Sequence, residues 1–324
     1  MPGLIVKLLS AVVLSAQLIS TQTTQPTEAQ ALTAIELATN PSTKLAAAEE
    51  FVARFPKSNS RIKAAELVAA EISKVRNGTV AITLVERAQS IFTADEEREV
   101  FKPVALQAYA SGNRATDAFK LAAEILSKDP DDLYVLGQMT RAGAEEVRKR
   151  NREHAEVALQ YGLKAIAIIE SDTKPSKVDD ASWSEHRTNL GQLYQQTAIL
   201  YLGAGNTDEA KARLNKATMF RPNDPSNFAL LGRVIHADYV KRMDAYEALP
   251  EGKQKQETLK KIDALLDTVI DAYAHAAGLA TGRQEYQPLM QQVIPDLTNY
   301  YKYRNNQSTK GLQQLIDKYK LPAH

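Results

Sequence analysis

The chain has 324 residues, enough for one large domain, two ordinary ones, or an elongated array that needs no single core. Its 40 Lys and Arg balance 39 Asp and Glu for a formal charge of +1, so there is no global field of the kind that draws a protein to nucleic acid or anionic lipid. Hydrophobic residues make up 44% and aromatics only 6%, while the absence of cysteine excludes disulfides, thiolate metal sites, cysteine nucleophiles and an acylated lipoprotein cysteine.

The N-terminal stretch is apolar from Leu8 to Ile19, follows a single lysine, Lys7, and leads into a Thr/Gln tract. As a helix this run spans roughly 18 Å against a hydrocarbon core of about 30 Å, so no stable membrane span is expected. A weakly positive start, a short apolar run and small residues at Ala16, Ser20 and Ala29 have the layout of a secretory signal peptide. The expectation is therefore an exported protein, periplasmic or otherwise envelope-associated, with residues 1–25 removed and residues 26–324 forming the mature domain. The competing reading is an amphipathic N-terminal helix on a cytosolic protein.

From Ala29 onward small and apolar residues recur at i, i+3, i+4 and i+7, and Ala, Leu, Glu, Lys and Gln, all strong helix formers, are frequent. Breaks such as "FPKSNS", "RNGT", "SKDPDD", "GAGNTD" and "RPNDPSN" divide this stretch into about a dozen helices, and no alternating strand pattern occurs. Short joints between helices predict antiparallel pairs in an all-α protein. Two segments depart from the rhythm. The polar joint "SDTKPSKVDDASWSEH" holds the only tryptophan, Trp183, and reads as a plain insertion or as a binding loop. Further on, Ile262, Leu265, Leu266, Val269, Ile270 and Tyr273 form an apolar stripe suited to burial inside the array or to docking a partner helix.

The motif "GAGNTDEA" carries the Gly-x-Gly of a phosphate loop but follows the helical run "LGQLYQQTAILYL" rather than a strand, so it reads as a turn between helices. Gly205 suits a left-handed helix end, and Thr207 or Asp208 suits the cap of the next helix. Around it stand Gly191, Tyr194, Ala198, Tyr201, Ala210, Leu214, Ala217 and Pro222, followed in register by Phe228, Leu231 and Gly232. Small residues let helices approach, large ones fill the gaps between them, and proline ends the second helix.

This order resembles the tetratricopeptide repeat (TPR), a unit of about 34 residues, with Thr197 where a leucine is usual. The match is strongest over 186–236, and "LAAAEEFVARFPKSNSRIKAAELVAAEI" is similar to repeats of bacterial envelope proteins. The resemblance implies an all-α, TPR-like α-solenoid of about six antiparallel helix pairs wound into a right-handed superhelix. It also implies a protein or peptide partner held in a concave groove. Groove-lining positions fall at Gln192, Gln195, Gln196, Ile199 and Leu202, then at Ser226, Ala229, Leu230, Arg233 and His236, and then at Gln284, Gln287 and Gln291. Arg233 is the one fixed positive charge among them, so the clamp with which chaperone-binding members hold a peptide carboxylate is missing. Glutamine both donates and accepts, which suits an extended peptide backbone. The plainer reading is a soluble, helix-favouring surface.

No catalytic, cofactor or metal site is expected. His154, His186, His236, His275 and His324 are scattered, and neither a His-Glu-x-x-His pair nor a Gly-x-Ser-x-Gly elbow occurs. The aromatic and basic run Tyr300, Tyr301, Lys302, Tyr303 and Arg304 reads as packing between helices, or as a contact to membrane headgroups or peptide. The function expected is that of a non-catalytic protein-interaction scaffold in the bacterial envelope, without nucleic acid. The alternatives are a hydrolase or lyase with its site on a helical solenoid, and a cytosolic self-assembling scaffold.

Overall fold

The computed structural model describes residues 26–322, so the expected signal peptide lies outside the described residues. Among these residues there are fifteen α-helices, one short 3-10 turn and no strand. The chain pairs α1 (Glu28–Leu37) with α2 (Pro41–Arg54), α3 (Arg61–Ile72) with α4 (Gly78–Ile91), α5 (Asp95–Ser111) with α6 (Ala115–Lys128), and α7 (Leu133–Arg148) with α8 (Ala155–Glu170). After the short α9 (Asp180–Thr188) come α10 (Leu190–Gly203) with α11 (Thr207–Phe220) and α12 (Pro225–Glu247) with α13 (Lys253–Ala280). The 3-10 turn Gln284–Tyr286 then leads into α14 (Gln287–Arg304) and α15 (Leu312–Asp317). The first helix of each pair touches its own partner and both helices of the pair before it, as α5 does on α6, α3 and α4, and α10 on α11, α7 and α8. This nearest-neighbour stacking is the expected all-α, TPR-like solenoid, in which no pair buries its apolar face alone.

Local chemistry explains where the helices begin and end. Asn40, Asn77 and Asn206 cap α2, α4 and α11, each accepting from a backbone N–H three residues on at 3.0, 3.1 and 3.2 Å. Such a cap stabilises a helix by ~1 kcal/mol. At "GAGNTD" α10 closes on Gly205, at φ 77°, with Gly205 N–H donating to Leu202 O at 3.0 Å and Asn206 N–H to Tyr201 O at 2.9 Å. It is a helix-ending turn. The cap falls on Asn206 rather than Thr207 or Asp208, because Thr207 is already the first helical residue.

Packing follows the small-and-large pattern. Ala198, Ala210 and Ala217 are fully buried, as are Tyr194 and Leu214 between their helices. A Cβ on Gly232 would stand 2.5 Å from the Tyr273 ring, so glycine is what lets α12 and α13 approach. Thr197, in the place of the usual leucine, is buried and donates its hydroxyl to Tyr194 O at 3.0 Å, which removes the cost of an unpaired polar group. The stripe on α13 is buried against α12, α14 and α15, with Ile262, Leu266 and Val269 almost wholly covered.

Proline inside a helix often ends it, yet α14 runs through Pro295. Proline there forgoes a bond to the carbonyl of Gln291, and both residues are exposed, so water can take that carbonyl. The polar joint after α8 folds into α9, whose Trp183 is buried with Ile169, Leu190 and Tyr194. Lys177 fastens it to Asp129 at 2.7 Å.

Candidate functional site: a trough along the first helices

The first helices α7, α10, α12 and α14 line a series of recesses. The smallest, about 260 Å³, lies between the N-terminal halves of α7 and α10 and the end of α9. Its polar lining includes the carboxamides of Gln138, Asn189, Gln192 and Gln196, with Arg141, whose guanidinium donates to Gln138 Oε1 at 2.9 Å. His186 of α9 also lines it; burial pushes this imidazole below its ordinary pKa, against the pull of Glu185, Asp132 and Asp179. It is held neutral near pH 7.

A second recess, of about 600 Å³, lies at the other end of the same helices. Its aliphatic walls are Val147, Ile199, Leu202, Gly203 and Leu230, and every polar side chain lining it is an arginine: Arg148, Arg150, Arg152 and Arg233. A third, about 400 Å³, sits between α12 and α14 and shares Arg148, Leu230 and Arg233 with the second, so the two form one trough. Asp296 is the one carboxylate lining it.

A helix-ending turn builds the arginine cluster. The α7 helix closes on Arg150, a non-glycine residue at φ 68°, with Arg150 N–H donating to Val147 O and Asn151 N–H to Glu146 O, both at 2.9 Å. The left-handed conformation costs an L-residue roughly 1–2 kcal/mol. It brings Arg148 at the helix end, Arg150 in the turn and Arg152 beyond it to one recess. Arg148 is ion-paired with Glu145, and Glu146 accepts from Lys149 and Asn151 at 3.1 and 2.9 Å. Among the described residues Arg150, Arg152 and Arg233 have no ion-pair or hydrogen-bond partner for their guanidinium groups.

The residues singled out from the sequence are distributed unevenly. Gln192 and Gln196 line the small recess, and Ile199 lines the second with Leu202. Ser226, Ala229, Leu230 and Arg233 line the trough from one face of α12. Gln195 does not face a recess: it is buried, and its Nε2 donates to Asn227 Oδ1 at 2.7 Å while Asn227 Nδ2 donates to Ala217 O and Arg221 O at 3.3 and 3.4 Å. It clasps α10 to α11 and α12. His236 packs its ring on Tyr300 with centroids 4.7 Å apart and on Tyr239 at 5.8 Å, and burial lowers its pKa.

In α14 the exposed Gln287 and Gln291 are out of phase with the trough, and Gln284 belongs to the preceding 3-10 turn. Leu289, Gln292, Val293 and Asp296 line it instead. A 3-10 turn advances with 3.0 residues per turn rather than 3.6, so a register counted through it lands off the face. The repeat positions legible in the sequence begin at Gln192 on α10 and so leave out α7, and with it Arg148, Arg150 and Arg152. Their only sequence signal is the basic run "RKRNR" at 148–152, and such a run more often marks a solvated helix end.

Among the described residues no group of three or more His, Cys, Asp or Glu side chains is placed to hold a metal, and no helix is long and apolar enough to cross a membrane. Fold and recesses together define an all-α helical-repeat array with an open trough on the face of its first helices.

No protein-family model matches the chain, and no curated protein matches it either. Among solved structures it is similar to a monomeric mutant of IFIT1 determined with m7Gppp-AAAA, at 16% identity and a TM-score of 0.42 over 87% of this chain. The chain spans 56% of the length of that protein, and so distant a likeness carries no argument about what this chain binds.

Proposed function

We propose that this chain is a non-catalytic TPR-type interaction scaffold of the bacterial envelope, which holds an extended segment of a partner protein along the face formed by α7, α10, α12 and α14. One observation carries the reading: the second and third recesses share Arg148, Leu230 and Arg233 and so make a single open trough across three helix pairs. An extended peptide advances about 3.3 Å per residue and presents unpaired N–H and C=O groups along its length. The carboxamides of Gln138, Asn189, Gln192 and Gln196 offer partners for both.

The titratable groups favour binding over hydrolysis. The histidines with lowered pKa stand apart, His186 on α9, His236 on α12 and His275 on α13, and none shares a recess with another. Acid–base catalysis needs such groups to converge. Export rests on the signal-peptide-like sequence of residues 1–25.

Site-specific photo-crosslinking in the native cell tests the binding face. A photoreactive residue at Gln192 or Gln292 is expected to capture the same partner, while one at the exposed Lys216 of α11 captures none. Equal capture from all three positions overturns the reading. Sequencing the mature N-terminus from fractionated cells tests export: a chain beginning near residue 26 in the periplasmic fraction is expected, and an intact Met1 in the cytosol contradicts it.

A further inference from the structure

Resting on the peptide-binding reading above, we infer that the recess at the end of α7 selects a partner segment in which acidic and aliphatic residues alternate. All four polar side chains lining it are arginines, and three of them have no partner among the described residues. A guanidinium stays charged at every physiological pH and presents a planar fork that pairs with a carboxylate through two parallel hydrogen bonds. Three unpaired guanidiniums around one cavity therefore leave donors that carboxylates satisfy better than water does.

Two kinds of wall meet there. Arg148 ends α7 and Arg150 and Arg152 follow it in the joint to α8, whereas Ile199 and Leu202 of α10 and Leu230 of α12 are aliphatic, with Arg233 on the same helix as Leu230. In an extended chain successive side chains point to opposite sides, so alternation of Glu or Asp with Leu or Val turns carboxylates to one wall and methyl groups to the other. Single-stranded nucleic acid also carries the right charge, but its affinity depends on aromatic platforms for the bases, and no aromatic side chain lines this recess. The chain-wide formal charge of +1 likewise makes the positive field local to the recess.

Fluorescence anisotropy with the full chain tests this, using labelled peptides of alternating Glu and Leu, alternating Gln and Leu, and alternating Lys and Leu, and a single-stranded oligonucleotide. The Glu peptide is expected to bind at least ~10-fold tighter than the Gln peptide, a difference of about 1.4 kcal/mol, and to weaken as salt rises. The combined variant Arg150→Asn, Arg152→Gln and Arg233→Gln should abolish that preference; asparagine at 150 keeps a residue that tolerates the left-handed backbone. Arg233→Gln alone lies outside the turn and should weaken Glu-peptide binding without touching the α7 end, with circular dichroism showing both variants folded. If the Glu and Gln peptides bind wild type equally, or the preference survives in the triple variant, the inference fails while the trough still binds peptide. If no peptide binds, with or without oligonucleotide binding, the inference and the peptide reading fail together.

Discussion

In the first three helix pairs the buried polar fastenings between helices use charged side chains. Arg61 of α3 gives Nε and Nη2 to the two oxygens of Glu97 on α5 at 2.5 and 3.0 Å, and Glu97 is buried. Lys44 of α2, also buried, donates to the terminal carbonyl groups of α1 at Ile35 and Glu36, at 2.9 and 3.3 Å. In the last two pairs the ion pair of that kind, Arg304 of α14 on Asp267 of α13 at 2.8 and 3.0 Å, is exposed, and the crossings carry stacked rings as well. His275 of α13 lies between Phe228 of α12 and Tyr319 beyond α15, with centroids 3.6 and 4.1 Å away, and His236 lies on Tyr300. One repeat geometry is thus held by groups that titrate in different ranges, and the two ends of the array should respond differently to mutation and to acid.

The largest effect is expected at Arg61. Removing it as Arg61→Leu strands the buried Glu97 charge, which costs about 3–5 kcal/mol, and urea denaturation should show a loss of that size. A loss below about 1 kcal/mol would break the ionic side of the comparison. Next comes Gly232→Ala, which forces a methyl group against the Tyr273 ring and should cost about 1–3 kcal/mol, with faster amide exchange confined to α12 and α13. Replacing Gln195 with leucine leaves the Asn227 carbonyl without its donor; the expected cost is about 1 kcal/mol in the same denaturation assay.

Acid sharpens the contrast further. Burial holds His236 and His275 below the ordinary imidazole value of 6.5, opposed at His236 by Asp296 and at His275 by Asp271, with Lys318 acting alongside burial. The folded state therefore favours the neutral rings. Their contribution is intact above pH 6.5 and is lost as the pH falls below that value through the folded pKa. For Glu97 the Arg61 guanidinium holds the carboxyl below its ordinary 4.5, so that contribution survives until the pH drops below 4.5. Hydrogen exchange between pH 7 and pH 5 should show protection falling in α12–α14 and steady in α3–α5; uniform loss would refute the assignment. Smallest is the exposed Arg233→Gln, expected to change stability by less than about 0.5 kcal/mol in either direction, so any loss of peptide binding it causes is a property of the site.

Legibility differed sharply between elements. The turn at Gly205 and the close contacts at Ala198, Ala210, Ala217 and Gly232 could be read directly, because each depends on residues within one hairpin and its immediate neighbour. Gln195 could not be told from Gln192 and Gln196 by type alone. They share one helix, and only the position of Asn227 on α12 decides that Gln195 faces inward while the other two line a recess. In α14 the 3-10 turn shifted the phase and replaced Gln291 by Gln292 as the lining residue.

The sequence by itself determined that this chain is helical, where most of its helices turn, and which small residues lie between them, since propensity, capping and close approach are local and leave a periodic trace. Tertiary structure alone decided that a helix end, a left-handed arginine and the middle of α12, 81 residues apart between Arg152 and Arg233, line one cavity. Stacking of successive pairs sets that proximity, and no spacing along the chain encodes it.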